Sequence, residues 1–252
     1  GFFANLGVFS FSFPGLLALV LGFIALSTSY GSITDERETG SIKLLLSLPN
    51  SRLDAMVGKF LGRSAVVVVA LLVGFLVVFA VLIATGARLE LGSFVPQVAL
   101  TTLLGMAFVS VGLGISALAS SNREATLATM GLYLVFAVLW GSVSEGIPKL
   151  INYAAEQVGA GGVSELTRVK LGMVLKYLNP LKTYETLAAE LYYEPAQARL
   201  VSATFREQAA LGPILQESVP VYFSGGFLFV VLLLWIVLPV TVGYWAFRSA
   251  DL

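Results

Sequence analysis

The chain has 252 residues, of which 57% are hydrophobic and 12% charged, against about 25% charged in an average soluble domain. Fifteen Lys and Arg offset fifteen Asp and Glu, so the net charge is zero; so few charges would leave a soluble surface unsolvated, and the apolar side chains must face lipid. With no His and no Cys, disulfides, thiolate nucleophiles, Ser–His relays and zinc sites built on imidazole or thiolate are excluded, and there is no basic run to serve as a footprint for nucleic acid.

A bilayer core of about 30 Å takes about 20 apolar residues in a helix. Charge-free stretches of that kind recur five times, at about 9–30, 64–87, 95–119, 125–144 and 220–247. They are continuously apolar and not alternating, which favours helices over a barrel. The reading is an all-α, polytopic helical membrane protein with five spans in this sequence, forming one transmembrane domain over 1–252.

Between the first two spans, residues 35–63 hold Arg37, Lys43, Arg52, Lys59 and Arg63 in a short loop, which assigns this loop to the cytoplasm and, with five spans, the C-terminal tail to the same side. That topology leaves residue 1 outside, directly ahead of a span. A further N-terminal helix is therefore expected, giving six spans in the full protein.

The 35–63 loop is the most informative part of the chain. Asp35 is placed to cap a helix, with Glu38 three residues on in the acidic first turn, and Gly40 loosens it. Pro49-Asn50 reads as a turn, after which Ser51 caps a second helix with Asp54 in the capping-box position. That helix is amphipathic: Leu53, Met56, Val57, Phe60 and Leu61 fall at i, i+3, i+4, i+7 and i+8, suited to the membrane surface or to a partner protein. Beside it Glu36, Arg37, Glu38 and Lys43 gather charges of both signs in a chain that spends few.

In the third span Gly112, Ser116 and Ser120 form a small-xxx-small row that predicts close helix packing. Gly112 to Ala117 also matches G-x-G-x-x-A, but with no preceding strand and no acidic partner it reads as packing, not as a dinucleotide site.

The long segment 145–217 is expected on the outer side and helical. Ser164 can cap a helix with Leu166, Val169, Met173 and Tyr177 on one face, stopped by Asn179-Pro180. A second helix covers Leu181–Tyr193, and Pro195 opens a third that runs to about Ala210, ahead of Gly212-Pro213. The segment reads as an outer cap resting on the bundle.

Catalysis finds no support in the sequence. Gly58-Lys59 is followed by Phe60, so the phosphate-binding G-x-x-x-x-G-K-[ST] pattern is missing. Asp35, Asp54 and Asp251 all fall outside the spans, and no span holds the ionisable groups of a proton relay. Metal ligands are lacking too: the four Met (Met56, Met106, Met130, Met173) are scattered. The apolar span composition suits a hydrophobic or lipid-like cargo, and equally it is what bilayer contact requires.

The stretch Glu36-Arg-Glu-Thr-Gly-Ser-Ile-Lys-Leu-Leu-Leu-Ser-Leu-Pro-Asn-Ser-Arg52, followed by Gly58-Lys59-Phe60-Leu61, resembles the cytoplasmic signature of type-2 ABC transporter permeases, most closely the permease associated with nitrous-oxide-reductase maturation and its archaeal relatives. The resemblance implies a permease subunit, in an exporter, that works with a separate ATPase subunit holding ATP and Mg and with a second permease copy, identical or related. By the same analogy Glu36, Arg37, Glu38, Gly40, Ser41 and Lys43 form the ATPase contact. A non-transporting membrane assembly factor or sensor anchor is the alternative.

Overall fold

The computed structural model describes residues 13–40, 51–86, 90–159, 161–200, 203–217 and 219–249. Among them every regular element is helical. In chain order these are α1 (Phe13–Ser27), α2 (Thr34–Glu38), α3 (Arg52–Ala84), α4 (Leu91–Leu118), α5 (Asn122–Gln157), α6 (Glu165–Tyr177), α7 (Pro180–Glu190), α8 (Pro195–Leu200), α9 (Phe205–Glu217) and α10 (Gly225–Ser249). Four helices, α3, α4, α5 and α10, are long and apolar enough to cross a membrane, and α1 is a shorter apolar helix whose expected beginning at 9–12 lies outside the described residues. The chain is a polytopic helical membrane protein.

Helix α4 is the axis of the bundle. Leu104, Phe108, Val109 and Leu113 are fully buried, and α10, α3 and α1 pack around it. A helix enclosed on all sides shows no polar face, which is why its sequence carries no helical periodicity. Helix α3 is the opposite case: Val66, Val69, Val73, Leu76 and Val77 all point away from the bundle.

Two kinds of small residue bring the neighbours close to α4. A Cβ added at Gly112 would lie 2.2 Å from Ser29 Oγ at the end of α1, and one at Gly114 would lie 2.5 Å from the Pro239 carbonyl oxygen of α10. The Gly-x-Gly spacing therefore serves two helix crossings at once. Pro239 has no N–H, so Trp235 O loses its ladder donor, and the ring crowds this turn of α10. Ser110 of α4 bridges the next rung: its hydroxyl donates to Ile236 O at 2.7 Å and accepts from Val240 N at 3.2 Å.

Helix α5 runs past residue 144, the expected end of the fourth span, to Gln157. A π-helical turn at Val135–Leu139 interrupts it, and such turns set a carbonyl outside the α ladder. From the far end of α5 the chain folds back as α6, which descends along α5, turns at Leu178-Asn179-Pro180 and climbs again as α7. The turn meets Phe136, which lies fourteen residues into α5 and so about 21 Å from its start. It also meets Trp235, ten residues into α10. The 178–180 turn thus dips between the spans and does not rest on top of them as a cap would.

An irregular turn at that depth is tolerated only if protein satisfies its backbone. Trp140 Nε1 donates to Leu175 O at 3.0 Å and Trp235 Nε1 to Leu178 O at 2.8 Å. Asn179 Nδ2 donates to the Phe136 carbonyl of the π turn at 2.8 Å, while its Oδ1 accepts from Leu181 N at 2.8 Å and so caps α7. Higher up, Gln97 Nε2 donates to Tyr184 Oη at 2.6 Å, and Thr101 Oγ1 lies 2.9 Å from that oxygen, tying α7 to α4.

The third helix expected after Pro195 is two: α8 ends at Leu200, and α9 passes through Gly212-Pro213 to Glu217. Pro213 removes one backbone bond, but Leu211 and Leu215 on either side are buried in the core. Packing outweighs the local stop signal.

Candidate functional site

Helix α2 has five residues, too few to be stable alone in water. Side chains from other helices hold it. Its first amides are capped from α4: Ser116 Oγ accepts from Ile33 N at 2.9 Å and from Thr34 N at 3.2 Å. Asp35 therefore does not cap, and its Oδ1 instead accepts from Asn122 Nδ2 at 2.7 Å. The helix ends where Gly40 takes a φ of +72°, a left-handed conformation that glycine adopts without strain.

The three charged residues that follow Asp35 each reach a different span. Glu36 pairs with Lys59 of α3, and that ammonium also donates to Ser32 O at 2.8 Å. Arg37 Nη1 donates to Ala119 O at 2.8 Å and Nη2 to Ala117 O at 3.2 Å, at the C-terminus of α4. Glu38 Oε1 accepts from Asn122 N at 2.7 Å, at the N-terminus of α5. Each charge matches the helix end it meets, cation to exposed carbonyls and anion to exposed amides.

A second arginine repeats the arrangement on α10. Arg52 Nη1 donates to Phe247 O at 2.6 Å and to Arg248 O at 3.0 Å. The guanidinium carbons of Arg37 and Arg52 lie 5.8 and 5.6 Å from the centre of the Phe247 ring, within cation–π range. Burial, and secondarily the charge of Arg52, lower the Arg37 pKa from its ordinary value; at neutral pH it stays charged. Below the ring lies a small apolar cluster of Ile33, Met56, Leu113, Ala117 and Phe247.

Residues 51–61 begin α3 itself: the amphipathic helix and the second span are one continuous helix of 33 residues. Its start is the expected one, with Ser51 Oγ accepting from Asp54 N and the Asp54 carboxylate accepting from Ser51 N at 2.9 Å. The five apolar residues divide into two rows. Met56 is fully buried and Phe60 packs on the core, whereas Leu53, Val57 and Leu61 are 48%, 40% and 57% exposed. The exposed row forms an apolar ridge on the face of α3 turned away from Lys59 and α2.

Of the six residues expected to form a partner contact, Glu36, Arg37, Glu38 and Gly40 come together in this knot, while Ser41 and Lys43 lie outside the described residues. Sequence reasoning gave the anchors Ser116, Asn122, Lys59, Arg52 and the Phe247 ring no part in this contact. Arg52 and Lys59 stood out only as members of the basic loop and Ser116 only as a packing residue; Asn122 and Phe247 carried no signal. The described side chains of the site are spent on helix ends and on one ion pair. The site joins α3, α4, α5 and α10 to one short element, so that a displacement of α2 strains all four.

A family model described as ABC-2 family transporter protein matches residues 1–252. The chain is similar to a protein of Pseudomonas aeruginosa named probable ABC transporter permease protein NosY, with 32% identity over 133 residues, 51% of this chain and 48% of that protein. A protein of the same name from Stutzerimonas stutzeri is 27% identical over 136 residues, 52% of this chain and 49% of that protein. The aligned region thus spans about half the length of both relatives.

Proposed function

This chain belongs to the ABC-2 transporter family, and on that premise we propose that it is the membrane-embedded permease subunit of an ATP-driven transporter, acting in export. ATP and Mg are bound and turned over in a separate ATPase subunit, and the transport path is completed by a second permease copy, identical or related. The finer likeness to nitrous-oxide-maturation permeases and their archaeal relatives belongs to the same proposal. So does the orientation, with residues 35–63 and the C-terminus in the cytoplasm.

The observation that carries the mechanism is the α2 knot. Glu36, Arg37 and Glu38 are bonded to α3, α4 and α5, and Arg52 extends the linkage to α10. A motor that closes on ATP can rock the spans only through a rigid element that touches several of them. In this reading the ATPase bears on the end of α2 from Glu38 and Gly40 onward, through Ser41 and Lys43, and on the ridge of Leu53, Val57 and Leu61. Glu36 and Arg37 transmit the push. Met56 and Phe60 seat the helix in the bundle.

The test is purification of the full-length protein from its native membrane. A stoichiometric ATP-hydrolysing subunit whose transport-coupled turnover falls when Glu36→Gln is introduced supports the proposal. A stable complex with no ATP-hydrolysing subunit overturns it, and leaves the assembly or anchor module as the better description.

A further inference from the structure

At the end of the bundle opposite α2, a cavity of about 270 Å³ opens between α5, α6 and α9. Its wall includes Lys149 of α5, Arg168 of α6 and Arg206 of α9, with Glu145 and Glu207 as the acidic members and Thr204 beside them. The carboxylates are already engaged. Glu145 pairs with Lys149 at 3.5 Å, and Glu207 accepts from Lys176 Nζ at 3.2 Å and from Thr204 N at 2.7 Å. Arg206 pairs with Glu165 outside the cavity at 3.0 Å.

Arg168 differs from these. Its guanidinium has no ion pair among the described residues, and its Nε is buried without a hydrogen-bond partner. A buried donor of a charged group left unmet costs stability, and Arg168 lines the cavity, where an anion would meet that donor. The fork geometry suits phosphate, with two parallel N–H donors for two oxygens.

The height of the cavity narrows the source. Ser144, which lines it, lies 22 residues beyond Asn122, about 33 Å along α5, against a hydrocarbon core of about 30 Å. The same stretch of α5 exposes Ile147, Leu150 and Ile151 on its other face, so lipid borders it there. The cavity stands at headgroup level.

We propose that this cavity binds a phosphate-bearing anion, with Arg168 as its anchor and Lys149 and the Thr204 hydroxyl at its rim. A phospholipid headgroup and free phosphate share that chemistry, and the experiment separates them. The full-length protein, delipidated in detergent, is examined by native mass spectrometry with phosphatidylglycerol, with phosphatidylcholine and with inorganic phosphate. Retention of phosphatidylglycerol is expected to fall about tenfold with Arg168→Gln, and by a smaller factor with Lys149→Gln, an exposed position that does not endanger folding. Arg123→Gln, an exposed cation at the α2 end, serves as the control and should change nothing.

Inorganic phosphate that displaces the lipid, or binds alone in an Arg168-dependent way, identifies free phosphate as the ligand. Lipid retention that phosphate does not touch identifies the headgroup. Equal loss in the Arg123→Gln control, or no loss in both cavity variants, overturns the site. None of these readouts requires an ATPase, so failure here leaves the transporter proposal standing.

Discussion

Lys59 of α3 and Glu36 of α2 close an ion pair that is less than one-third exposed on either side, and the same ammonium holds the Ser32 carbonyl at 2.8 Å. One cation therefore fixes both the end of the loop after α1 and the orientation of α2. Replacing it by Lys59→Met keeps the length and apolar stem but leaves a half-buried carboxylate unpaired. The expected loss is about 1–2 kcal/mol in detergent unfolding, below the cost of breaking a fully buried pair. Glu36→Gln should cost less, because the amide still accepts from Lys59. If the knot transmits force, Lys59→Met uncouples ATP turnover from transport while ATPase binding persists. Unchanged coupling would refute the transmission role.

The two arginines over Phe247 make a prediction about helix ends. Arg52→Leu removes the donors that meet Phe247 O and Arg248 O and withdraws a cation from the C-terminus of α10. A loss of about 1–2 kcal/mol is expected, with α10's last turn fraying first. Hydrogen exchange at residues 245–249 is the measurement. Protection that stays at the native level would sink the assignment.

How much of this was legible beforehand follows from the range of each interaction. The Ser51–Asp54 capping box, the Ser164 cap and the α6 face of Val169, Met173 and Tyr177 depend on neighbours within about two turns, and their residue types announce them; Leu166, expected on the same face, is exposed. Asp35 shows the limit: it has the right type and spacing for a cap, but Ser116, eighty-two positions from Thr34, occupies the amides first. The row Leu53, Met56, Val57, Phe60, Leu61 has helical spacing, yet only Met56 and Phe60 turn inward. The depth of Asn179 was invisible, since Asn-Pro is a stop signal at any height. Only the carbonyl of Phe136 and the indole of Trp235 place it within the bundle.

The Gly114 crossing predicts opposite outcomes for one substitution at two sites. Gly114→Ala would drive a methyl to 2.5 Å from the Pro239 carbonyl oxygen, with backbone as the obstacle, so α4 and α10 must separate. A loss of at least about 2 kcal/mol is expected despite the gain in helix propensity. Gly74→Ala on α3 meets nothing within 4 Å and should be neutral or stabilise by up to about 1 kcal/mol. Detergent unfolding of the pair measures the difference, and equal effects would refute the close crossing.

Ser110 makes the sharpest case, because its partner can be removed as well. In Ser110→Ala the Ile236 carbonyl and the Val240 amide lose their partner at a depth where no water replaces it. Interhelical hydrogen bonds in membranes contribute on average about 0.6 kcal/mol and at most about 1.7. Two are lost here, so a cost of about 1–2 kcal/mol is expected. Pro239→Ala returns a donor to the Trp235 carbonyl and removes the ring that crowds this turn, so Val240 N closes directly on Ile236 O without help from α4. In that background Ser110→Ala should cost only a few tenths of a kcal/mol. A double-mutant cycle in detergent, read by unfolding midpoint, gives the coupling energy directly. Coupling near zero would mean that Ser110 merely fills space, and that the break at Pro239 is satisfied some other way.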